Sequence, residues 1–173
     1  MTERQIKKLR VQIDALDAEL LALLNRRAAV VRKVGALKDG APAYRPERES
    51  EILRRIGALA AAGGSGALPA EAALAVFREI ISACRALEQD IRVAYLGPQG
   101  TFSEQAVRRH FGQAVAADPA ASIDEVCRSA EAGATQFAVV PAENSTDGVV
   151  GRTLDLLLLT PLRICGEIEQ RVR

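Results

Sequence analysis

Residues 3 to 34 contain neither proline nor glycine, and their large apolar side chains recur at steps of three and four: Ile6, Leu9, Ile13, Leu16, Leu20 and Leu23. On a helix this spacing gathers them into one stripe, whereas a strand would scatter them over both faces. A first helix of roughly 35 residues would run about 50 Å at 1.5 Å per residue. That is longer than a globule of roughly 90 residues is wide, so the stripe needs a partner from outside its own domain. An extended coiled coil would cover it, and so would an intertwined dimer, which is the expectation here.

"KDGAPAYRP" breaks this helix with Gly40, Pro42 and Pro46. A second helix is expected from about Glu47, with Ile52, Ile56 and Leu59 on one side, ending at "AAGGSG". Pro69 opens a third through Leu74, Phe77, Ile80, Ile81, Cys84 and Leu87. Near residue 91 the texture changes. "RVAYLG" reads as a buried strand and "PQGTFSEQAVRRHF" as a turn and helix; "SIDEVCRSAEAG" is helical and "QFAVVP" a strand. A polar loop ("AENSTDGVVG"), a helix ("RTLDLLLL") and a strand-like end ("RICGEIEQRVR") complete the chain. The expectation is an all-α domain over residues 1–91 and a thin α/β layer with parallel strands over 92–173. With 49% apolar residues but only 3% aromatics and no Trp, the cores are built from Ala, Leu, Val and Ile.

Five basic residues and no acid lie between Leu23 and Lys38, although the whole chain has a net charge of +1. Arg27 and Lys38 are eleven residues apart, roughly 20° around the axis and about 16 Å along it, so their long side chains would bracket one small molecule. Arg26, Arg32 and Lys33 point elsewhere. Arg10, seventeen residues before Arg27, lies roughly 25 Å away and about 100° round. If all three cations serve one ligand, Arg10 must come from a second chain. Two acids sit on apolar faces: Glu49 with Ile52 and Ile56, and Glu88 with Phe77, Ile81 and Cys84. A carboxyl buried there would have a raised pKa, and a protonated Glu88 would donate a hydrogen bond.

"LRVQIDALDAELLALLNRRAAVVRKVGALK", "YRPERESEILRR" and "IISACRALEQ" together resemble the AroQ-type, all-helical chorismate mutases over nearly all of residues 4 to 90. The resemblance implies three helices from each of two chains interlaced as a homodimer with shared active sites. It implies that Arg10 of the second chain and Arg27 grip the two carboxylates of chorismate. Lys38 and Glu88 would then donate to its ether oxygen. Arg48 and Glu49 match the pair near the ring hydroxyl, Glu49 accepting from it, with Cys84 beside them. Arg45, Cys84 and Glu88 depart from the acid, Ser and Gln that some members carry. The reaction needs no cofactor and no metal.

"VAYLGPQGTFSEQA" and "VVPAENSTDGVVG" resemble the opening of prephenate dehydratases, and the order mutase then dehydratase resembles the bifunctional P-proteins of phenylalanine biosynthesis. This implies the first lobe of a two-lobed, periplasmic-binding-protein-like domain. Gly97, Gly100, Thr101 and Ser103 precede a helix whose free N–H groups suit an anion such as prephenate. Asn144 and Ser145 would hydrogen-bond it or only shape their loop. The Thr-Arg-Phe motif of the second lobe is absent from this sequence, so the expectation is a fragment with an incomplete dehydratase.

The rival readings are a non-catalytic dimerisation module with an anion-binding lobe, and a nucleic-acid binder. Residues 1–90 carry a net +3 (15 basic, 12 acidic) and few aromatics, which argues against nucleic acid. Three scattered cysteines, a charged N-terminus and no long apolar run point to a reducing, cytoplasmic setting without membrane contact.

Overall fold

The computed structural model describes residues 3–37, 43–62, 67–146 and 148–170. It divides into two units, residues 1–43 and 44–173. The first consists of α1, Glu3–Leu37, 35 residues long as the uninterrupted pattern requires. No residue of α1 is buried, and its apolar stripe faces outward, Leu16 being 62% and Leu23 57% exposed.

The second unit begins with α2 (Pro46–Ala62) and α3 (Ala70–Ala86), which pack on each other. At Gly57 a Cβ would meet Leu74 at 3.8 Å, an ordinary van der Waals contact, so the two helices do not approach closely enough there to require glycine. Pro69 stands at the N-cap position of α3 with the φ of −60° that its ring imposes, and no side chain caps this helix. The sheet that follows has the order β2-β1-β3, all parallel, with β1 Arg92–Leu96, β2 Ala116–Ala120 and β3 Phe137–Val139. Val93, Ala94 and Tyr95 are buried on both faces, as a central parallel strand should be. Val93 and Tyr95 form the core with Ile91, Val107, Phe111 and Val115, and it also takes in Tyr44.

Helices α4 (Phe102–Phe111) and α5 (Ile123–Glu131) start alike. Thr101 Oγ1 accepts from Glu104 N, while Glu104 Oε2 accepts from Gly100 N at 2.7 Å. Ser122 and Glu125 repeat the arrangement, with Ala121 N as the second donor. "TFSE" and "SIDE" are therefore capping boxes displaced by one residue. A short antiparallel hairpin, β4 (Glu143–Asn144) and β5 (Gly148–Val149), stands where a polar loop was expected. The element α6 is Gly151–Leu159.

One strand was not read from the sequence, and two expectations are corrected. The sequence "AADPA" forms β2, although Pro119 cannot donate to a ladder; as an edge strand, it needs only its partner's side. The segment "RICGEIEQ" is irregular: among the described residues it finds no strand to pair with, and β propensity without a ladder makes no strand. Helix α3 ends at Ala86, so Glu88 lies in the turn after the helix and not on its apolar face.

Candidate active site

On α1, Arg10 is exposed and Arg27 half-buried, with the nitrogen Nη1 shielded from solvent and without a hydrogen-bond partner among the described residues. A guanidinium cannot shed its charge, so a buried nitrogen of this kind calls for an acceptor. Lys38, expected as the second jaw of the clamp, lies outside the described residues.

The start of α2 presents Arg48 and Glu49 one residue apart and therefore in different directions. Arg48 is exposed and pairs with Glu51 at 2.6 Å, which holds the Glu51 carboxyl below its ordinary range. Glu49 turns inward and accepts from Arg85 Nη1 at 2.5 Å. Arg85, which sequence reasoning missed, is the most buried cation of the site among the described residues, at 4% exposure. Its other terminal nitrogen donates to the Phe111 carbonyl, and its guanidinium lies 5.2 Å from the centroid of the Tyr44 ring. The available signal was position: Arg85 follows Ile81 by four residues and so continues the apolar stripe of α3. Cys84, beside it, is buried as a free thiol, and Glu88 is half-buried.

Glu49 opens onto a cavity of about 300 Å³ that is also lined by Tyr44, Ser50, Arg78, Arg109 and His110. The Tyr44 hydroxyl lies 2.6 Å from His110 Nε2, and burial pushes the Tyr44 pKa upward so that the phenol stays protonated. Burial, and after it the Arg85 charge, holds His110 below its ordinary 6.5. The unfolded chain then takes up a proton that the folded chain refuses. This stability is complete above pH 6.5 and is lost as pH falls through the folded value. Between about pH 7.5 and about pH 5.5, denaturant melts are expected to show wild type losing stability that His110→Gln keeps.

The second cluster lies at the C-terminal edge of the sheet, where open parallel sheets commonly hold ligands. Strands β1 and β3 are adjacent and parallel, so the connection from β1 to Thr101 and Ser103 at the start of α4, and the connection from β3 to Asn144 in β4 and Ser145 after it, leave the same edge. Gly100 takes a positive φ of 83° in the first of these loops. Thr101 is committed to capping α4 and to donating to Leu96 O. Asn144 Oδ1 accepts from Thr146 N at 2.9 Å, the loop-shaping role. Ser103 is half-buried and Ser145 exposed.

Residues 9–89 match the family model of chorismate mutase type II, and residues 93–173 that of prephenate dehydratase. The chain carries two segments that belong to these two families. It is similar to the bifunctional chorismate mutase/prephenate dehydratases of Pseudomonas aeruginosa (49% identity) and Stutzerimonas stutzeri (48%), in each case over 97% of this chain and 47% of the relative. The Aquifex aeolicus relative of the same name is 43% identical over 95% of the chain and 46% of its own length. The chain thus spans about half the length of the curated relatives it matches. No solved structure matches it.

Within this family framework, Arg27, Glu49, Cys84, Arg85 and Glu88 belong to the mutase segment, while Phe111 and His110 belong to the dehydratase segment. The polar joint around Arg85 therefore ties one family segment to the other inside a single unit. Among the described residues no helix is long and apolar enough to cross a membrane.

Proposed function

We propose that this chain rearranges chorismate to prephenate, and that its second segment forms one side of a prephenate-binding cleft, in a cytoplasmic setting. The rearrangement is unimolecular and pericyclic, and its demands are geometric and electrostatic. The compact diaxial conformer must be held so that the reacting carbons meet. Negative charge developing on the ether oxygen must be met by donors already in place. Arg27 and Arg10 of a second copy take the carboxylates through forked contacts. Lys38 and Glu88 face the ether oxygen; Arg48 and Glu49 hold the ring hydroxyl, with Cys84 beside them. In the dehydratase segment, Thr101, Ser103, Asn144 and Ser145 contact prephenate from the edge of the sheet.

The observation carrying the mutase reading is the shielded, unpartnered Nη1 of Arg27, a donor set for an anionic acceptor in the segment that matches the mutase family. The exposed stripe of α1 supports the dimer, since an apolar face of this length needs covering. A chorismate-loss assay by absorbance tests the activity directly, and DNA binding without turnover would favour the nucleic-acid reading instead.

Shared sites make a sharper prediction. Arg10→Ala and Arg27→Ala are each expected to be nearly inactive alone. After unfolding and refolding together, half of the dimers pair the two lesions in one site and leave the other intact. About a quarter of wild-type activity should return. Sites complete within one chain would recover nothing.

A further inference from the structure

The mutase chemistry accounts for Glu49 but not for the group that holds it. Arg85 is a buried cation whose two terminal nitrogens serve two acceptors from different segments, Glu49 Oε1 at 2.5 Å and the Phe111 carbonyl. Phe111 is the last residue of α4, where carbonyls lack intrahelical partners and the helix dipole favours a cation. The rings of Tyr44 and Phe111 lie 5.2 and 5.9 Å from the guanidinium carbon. The planar fork is thus fixed on one side by the dehydratase segment and presents its other side to Glu49. Among the described residues Arg85 takes only Oε1, which leaves Oε2 of Glu49 to accept from another donor.

We propose that Arg85, anchored by the end of α4, is a positioning residue that aims the Glu49 carboxylate at the substrate hydroxyl of the mutase reaction. Arg85 touches no reacting atom. It sets the rotamer of Glu49 and makes mutase substrate binding depend on the docking of the dehydratase segment. The inference rests on the mutase reading of Glu49.

The test is steady-state chorismate kinetics on the whole chain, with each variant's fold checked by thermal melting. A hydroxyl contact present in both ground and transition states affects KM and spares kcat. Arg85→Gln is therefore expected to raise KM about tenfold with kcat within about twofold, and Arg85→Lys, which keeps the charge but loses the fork, to fall between. In a Glu49→Gln background Arg85→Gln should add no further change in KM, because Arg85 acts through Glu49. A merely structural arginine would lower the melting temperature and leave this KM coupling absent. Should Arg85→Gln fail to fold, Arg85→Lys in the same two backgrounds gives the same reading. Turnover with KM unchanged in both arginine variants, or with fully additive effects in the double variant, overturns the positioning role alone. Wild-type chain without turnover overturns the mutase reading and this inference with it.

Discussion

Arg27→Ala is expected to lower kcat/KM for chorismate by about 30- to several-thousand-fold, the equivalent of about 2–5 kcal/mol for removing one partner of a desolvated charge pair. The reason lies in the ligand-free chain. Arg27 is half-buried, and its Nη1 is shielded without a partner among the described residues. A buried donor left unsatisfied costs about 1–3 kcal/mol, a cost the substrate carboxylate relieves on binding. The same substitution removes that cost from the unliganded fold, so the melting temperature should hold or rise while activity disappears. Such opposite movement is the mark of a group kept for binding at the expense of stability. Arg27→Lys should not restore activity, because an ammonium cannot fork onto a carboxylate. Absorbance kinetics and a thermal melt on the same preparation decide it; a lower melting temperature with turnover intact would make Arg27 a structural residue.

The largest stability effect is expected at Gly112. This residue follows α4 with a φ of 79°, and a Cβ built on it would sit 2.4 Å from the Ser82 Cβ and 2.5 Å from its Oγ. Ser82 is 2% exposed on α3, and its hydroxyl accepts from Ala114 N at 3.3 Å, so it has no room to retreat. Gly112→Ala combines about 1–3 kcal/mol of strain, from a positive-φ conformation that is essentially restricted to glycine, with about 1–3 kcal/mol of overpacking, together about 2–6 kcal/mol. At about 2–4 °C per kcal/mol for a chain of this size, the melting temperature should drop by roughly 4–24 °C. Gly133 is the control: its φ is 71°, but nothing lies within 4 Å of the added carbon. Gly133→Ala should show the strain alone. Equal losses at both positions would mean that the approach of α4 to Ser82 is not what requires glycine.

The extent of α1 and the proline entry to α3 could be read directly, because each depends on residues within a turn or two of one another. Much of the candidate site could be read as residue types in the same way: a cation on α1, and an Arg-Glu pair at the start of α2. The pairings inside it could not. Arg48 and Glu49 are neighbours in sequence, yet one meets Glu51 in solvent and the other a buried arginine 36 residues away. Arg85 looked like one more charge on a helix until the end of α4 was placed against it. Strand β2 was invisible because Ala, Asp and Pro have little tendency to extend; it exists because β1 supplies a ladder from Arg92↔Ala116 to Leu96↔Ala120. The tail was misread for the converse reason.

By itself the sequence determined what local physics can settle: helix length and phase, where helices begin, the change from helical to strand-bearing texture near residue 91, and the motifs that mark the two family segments. Only the tertiary structure decided which strands pair, where α3 stops, and that a buried arginine joins the third helix to the end of the fourth. The reason is range. Periodicity and capping act between residues three or four apart, whereas a ladder partner or the second acceptor of a guanidinium is supplied from 20 to 40 residues away and becomes known only when the chain has folded.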